Sequence, residues 1–152
     1  MTSSSHPPRP FRSLLGENEG SDYAEHIGKN GKIRAWHFGH QIGVFESSGS
    51  IEGAHARFVV EYFGTHLETR PRPWHAFGNW MHLDAYTPEV RKILTDWQVA
   101  QGYAELHVAA DSALLALSIN LANSLLKNTV AVVTNEERLD DIFLRVRERC
   151  GV

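Results

Sequence analysis

The chain has 152 residues, 42% hydrophobic and 22% charged, with 15 Lys and Arg against 18 Asp and Glu, a net charge of -3 at pH 7. This make-up suits one globular domain with a full core, and it excludes the basic excess of a nucleic-acid binder and the acidic excess of a solvating tail. No apolar run reaches the roughly 18 residues of a membrane helix, Met1–His6 lacks a secretory pattern and the single Cys150 has no internal disulfide partner, so the sequence predicts a cytoplasmic protein without membrane insertion.

Residues 1–28 are rich in Ser, Pro, Gly and acids, as in Pro7-Pro8-Arg9-Pro10 and Gly16-Glu17-Asn18-Glu19-Gly20. They hold too few apolar side chains to offset the entropy of ordering them, and read as a flexible arm ahead of a domain over 29–152. Gly28-Lys29-Asn30-Gly31-Lys32 lacks the spacing of a phosphate-binding loop and reads as a turn into the first strand. Lys32–Phe38 and Gln41–Glu46 are rich in β-branched and aromatic residues, and Gly39-His40 between them suits a hairpin turn.

From Ser50, the expected N-cap, Ile51, Ala54, Phe58 and Tyr62 recur at helical spacing, and the helix must stop before Arg70-Pro71-Arg72-Pro73. A central strand then starts at Trp74 and leads to a loop carrying Asp84 and Tyr86. Thr87-Pro88-Glu89 is a strong helix start: a capping hydroxyl, a proline that loses no hydrogen bond there, and an acid at the positive end of the dipole. The second helix runs to about Ala100 with Val90, Ile93, Leu94 and Trp97 on one face. Ala104–Ala109 reads as a strand, Asp111 to about Leu126 as a third helix, and Thr129–Val133 as a buried parallel strand. A last helix follows Thr134, whose spacing to Glu137 fits a capping box. Strand-helix units after an opening hairpin predict a single α/β domain with a mostly parallel sheet, right-handed crossovers and about four packed helices.

This element order resembles the STAS domain and its SpoIIAA-like relatives over about residues 30–150. The resemblance rests on the hairpin Lys32–Glu46, the junction Leu83-Asp84-Ala85-Tyr86-Thr87-Pro88, the strands Glu105–Ala109 and Thr129–Val133, and the closing acid-capped helix. It implies a small regulator of the anti-sigma-factor-antagonist kind that works by binding a protein partner. The phospho-regulated members carry Asp-Ser-Ser/Thr-Gly at this junction; here Asp84 and the Thr87 hydroxyl remain but the Ser-Gly pair is absent, so Thr87 reads first as a helix cap.

The residues offer three candidate surfaces. Asp84, Tyr86 and Thr87 form a partner-binding loop outside the carboxyl end of a strand, where α/β proteins place their working surfaces. Trp74, His75, Trp80 and His82 could wall a pocket for a small apolar or aromatic ligand, though aromatic residues on a helix-covered sheet equally serve as core. The third helix carries Leu115, Ile119 and Leu126 on an apolar surface too wide for one packing face, with no charge between Asp111 and Lys127, as at the core of an interface.

Histidines cluster at 37, 40, 55, 66, 75 and 82, but no metal-ligand spacing is present and no metal or other cofactor is expected. His75 and His82, an odd number of residues apart, should point to opposite faces of a strand. No nucleophile elbow or reactive cysteine marks a catalytic residue. The expectation is therefore a non-enzymatic regulatory interaction module that binds a protein and forms a homodimer. The alternatives are a small-ligand carrier or sensor and, behind it, an acid-base enzyme using His82, His75 and Asp84.

Overall fold

The structure is a computed structural model that describes residues 23–67, 74–101, 105–111 and 130–151. Its elements are β1 (Ala24–Ile27), β2 (Gly31–Phe38), β3 (Ile42–Ile51), α1 (Gly53–His66), β4 (His75–Tyr86), α2 (Pro88–Gln101), β5 (Glu105–Ala110), β6 (Val130–Val133) and α3 (Glu136–Cys150). The six strands form one sheet in chain order. The pairings β1–β2 and β2–β3 are antiparallel, while β3–β4, β4–β5 and β5–β6 are parallel. The sheet is thus mixed rather than mostly parallel, because β1 adds a second antiparallel pairing. Three helices occur among the described residues, and of the helix expected over Asp111–Leu126 residues 112–126, with Leu115, Ile119 and Leu126, lie outside them.

β1 moves the boundary of the expected arm, since Ala24–Ile27 pair with Ala35 to Lys32. Four residues with one β-branched side chain are too weak a pattern to read alone. The strand is held across the ladder, where Glu25 stands opposite Arg34 and accepts from its Nε at 2.6 Å. The turn read at Gly28–Gly31 joins β1 to β2 and closes with Gly28 N–H donating to the Gly31 carbonyl at 2.8 Å. Gly39, at a φ of 60°, supplies the left-handed residue of the β2–β3 hairpin.

α1 and α2 cover one face of the sheet. There Ala56, Val59 and Phe63 of α1 and Val90, Leu94 and Trp97 of α2 close over Ile33, Ala35, Phe45, Ala76 and Trp80. α3 covers the other face, where Leu139, Phe143 and Val146 meet Trp36, Ile42, Val44 and Phe77. Two helix starts differ from the sequence reading. Ser50 belongs to β3, with its N–H donating to the Asn30 carbonyl at 2.9 Å, and the N-cap of α1 is Glu52. α3 is capped by Asn135, whose side chain accepts from Arg138 N–H at 2.9 Å, and not by Thr134. No helix among the described residues is long and apolar enough to cross a membrane.

β4 is the longest strand and is twice irregular. Against β3 it runs in register to Glu46↔Asn79, then pairs Ser48 with His82, and then Gly49 with Leu83 and Ser50 with Ala85. Each break adds one residue to β4, as a β-bulge does. The expected loop at Asp84 and Tyr86 is therefore strand: pairing continues to Tyr86↔Ile51, and only Thr87 separates β4 from Pro88.

Candidate functional site

The carboxyl ends of β3 and β4 meet the first turns of α2 and α3, and the irregularities decide what each face presents there. Trp80, Leu83 and Tyr86 all join the α1/α2 core, where Tyr86 packs on the Trp80 ring at 5.4 Å. Asn79 and His82 fall on the α3 face, because both reach Glu136 in its first turn. His75 is on that face too, as its ring stacks with His107 at 6.1 Å and His107 stacks on Phe77. The expectation that His75 and His82 oppose each other fails for one reason: the added residue shifts the alternation.

Trp74, His75, Trp80 and His82 consequently do not share a wall. Trp74 is 2% exposed and sits against Phe63 and Trp97 at 5.7 and 5.2 Å, and Trp80 is 4% exposed beside Phe45. Both are core of the α1/α2 layer, with the histidines on the far side of the sheet. His82 has Glu136 as its carboxylate neighbour, at 4.0 Å. At the rim, Asp84, Ala85, Thr87, Pro88 and Glu89 are exposed. Thr87 is tied by its backbone, its N–H donating to the Ile51 carbonyl at 3.2 Å and its carbonyl accepting from Val90 N–H at 3.0 Å.

On the α3 side a polar cluster interrupts the core. Asn79 is fully buried. Its Oδ1 accepts from Met81 N–H at 3.0 Å, which orients the amide so that Nδ2 faces two carboxylates. Nδ2 donates to Glu136 Oε2 at 2.6 Å and to Glu46 Oε2 at 3.4 Å. Burial pushes the Glu46 carboxyl above its ordinary value and the Glu136 charge adds to that, while Arg34, His82 and the Asn79 hydrogen bond pull the other way. The hydrogen bond to Glu25 raises the Arg34 guanidinium further above its already high ordinary value. The arrangement sets a carboxyl of raised pKa within the sheet, close to the N-terminus of α3. Among the described residues, no group of three or more His, Cys, Asp or Glu side chains is placed to hold a metal ion.

Sequence reasoning missed Glu46, Asn79 and Glu136 as a set. The signal was Asn79 itself, an uncharged polar residue amid Trp74–Leu83, where a buried strand needs a partner for every polar group.

The raised Glu46 value carries a sign. A carboxyl whose folded pKa exceeds the unfolded one binds more protons when folded between the two values, so stability falls as pH rises through that interval. Glu46→Gln should therefore remove that fall and leave the protein at least as stable as wild type above it. Urea midpoints from pH 4 to 8 check this, and a variant less stable at pH 8 than at pH 4 by the wild-type amount would count against it.

The chain is similar in structure to an uncharacterized protein of the DUF3478 family with a SpoIIAA-like fold from Shewanella loihica PV-4, with a TM-score of 0.56 and 11% sequence identity over 76% of this chain and 98% of that one. No family model and no curated protein matches the sequence. The SpoIIAA-like fold expected from the element order is the fold of this chain. At that identity the likeness concerns the fold alone.

Proposed function

We propose that this chain is a non-enzymatic, cytoplasmic regulatory module of the SpoIIAA-like type, which binds a protein partner through the junction of β4 and α2 and self-associates as a homodimer. One observation carries the reading: at the carboxyl end of β4 the aromatic residues are used up in the core, while Asp84 and Thr87 stand exposed on a backbone pinned to β3 and to the first turn of α2. A rigid, polar, exposed rim suits recognition of another surface better than enclosure of a substrate. Tyr86 is half-buried against Trp80 and sets the position of the rim. Self-association is assigned to Leu115, Ile119 and Leu126 on the sequence argument alone.

The small-ligand reading keeps one observation in its favour. Trp80 Nε1 and the Ser47 hydroxyl are buried without a hydrogen-bond partner among the described residues, and both are donors. Native mass spectrometry of protein purified gently from cells separates the readings. A bare dimer, lost in Ile119→Asp with the fold retained, supports the module; a monomer at micromolar concentration overturns the dimer, and a bound organic mass lost in Trp80→Phe moves the assignment to a ligand carrier. Asp84→Lys should weaken a captured partner at least about tenfold if the rim is the contact, since a misplaced charge at an interface costs several kcal/mol.

A further inference from the structure

At the opposite end of the sheet from this rim, the β2–β3 hairpin meets the last turn of α1, and three histidines gather there. His37 Nδ1 lies 2.7 Å from the Gly39 carbonyl, His66 Nδ1 lies 2.9 Å from the Tyr62 carbonyl, and His40 Nδ1 lies 3.2 Å from the His66 carbonyl. A carbonyl oxygen can only accept, so each Nδ1 carries the proton. In the neutral imidazole the Nε2 lone pair is then left free. A backbone carbonyl holding Nδ1–H is the outer-shell arrangement that fixes tautomer and ring orientation in metal-ligating histidines.

The rings are also placed. His37 and His66 stand 4.8 Å apart with planes 31° from parallel, and Tyr62 stacks on His66 at 4.2 Å. His37 and His66 are half-buried and His40 is exposed. His40 ties the hairpin turn to the last turn of α1, which holds the spacing of the other two. The carboxyl end of the helix dipole adds negative potential there, favourable to a cation.

We propose that Nε2 of His37 and Nε2 of His66 bind one divalent transition ion of the imidazole-preferring class, Zn2+ or Cu2+, with water completing its shell. Because the two histidines come from β2 and α1, the ion clamps the hairpin to the helix, and it binds the folded chain in preference to the unfolded one.

The test is titration of the full chain with Zn2+ at pH 7.5 by calorimetry, together with thermal melts. Wild type and His6→Gln should show one saturable ion and a raised melting midpoint. His37→Gln and His66→Gln should each weaken binding by more than the roughly tenfold that even an outer-shell change costs, and remove the melting shift. Ring 15N spectra of wild type should show the Nε2 signals of His37 and His66 moving together with added Zn2+, a readout independent of whether the variants fold. Absence of saturable binding, a full response in the His37→Gln/His66→Gln double variant, or Nε2 signals that stay in place would each overturn the site.

Discussion

Asn79→Ala is expected to lower stability by about 2–4 kcal/mol at neutral pH, the range for breaking a buried network that involves charge. The substitution strands two kinds of group at once. Met81 N–H loses its acceptor at the irregularity in β4, and Glu136 and Glu46 lose the amide that lies between them. The Glu46 carboxyl then faces the Glu136 charge without the amide between them, with His82 and Arg34 still opposing that charge. Acidification should shrink the loss, because protonating Glu46 removes the repulsion, whereas a pure packing defect would cost the same at every pH. The double variant Asn79→Ala/Glu46→Gln should therefore be destabilised less than the sum of its parts, with a coupling of roughly 0.5–3 kcal/mol. Urea melts of the four proteins at pH 4.5 and 7.5 supply the cycle. A loss below about 0.5 kcal/mol, or one independent of pH, would mean that the amide does not organise the carboxylates.

The same residues show why the sequence was legible for the fold and poorly so for the site. Helix faces follow from local periodicity: Val90, Leu94 and Trp97 are core as their spacing says, and Pro88 opens its helix as its chemistry says. The α/β class follows from the alternation of strands and helices. What alternation does not reveal is a break in it. Beyond Asn79 the faces of β4 are set by two irregularities that depend on pairing with β3, so Trp80 and His82, expected side by side, point to opposite faces. The polar cluster is equally non-local, since Glu46, Asn79 and Glu136 come from three elements, and in sequence each looks like a strand end, a strand interior and a helix cap. β1 was unreadable for a related reason: its stability comes from the ladder with β2 and from the helix beneath it, not from its own four residues.

That helix contact supports the second large effect. His55→Ala is expected to cost about 3 kcal/mol, seen as a lower urea midpoint at unchanged slope. His55 is 1% exposed and stands in the first turn of α1 where a capping box usually has Glu or Gln. Its Nδ1 accepts from Glu52 N–H at 3.1 Å, so Nε2 must carry the proton and donate to the Gly31 carbonyl, 3.0 Å away. One imidazole thereby caps a helix and fastens the β1–β2 turn. The ring lies so close to Gly28 that a Cβ there would sit 2.5 Å from Cε1, which is why that turn position has to be glycine. It also meets the His26 ring edge-on at 4.9 Å. His55→Gln can still accept from Glu52 N–H but cannot reach Gly31 in the same way, so it should recover about half of the loss. Hydrogen exchange separates the two duties: in the Gln variant the amides of Ala24–Ile27 should lose protection while the first turn of α1 keeps it. Unchanged protection of Ala24–Ile27 in the Gln variant would show that β1 is held by its ladder with β2 alone, and that the imidazole serves only the helix.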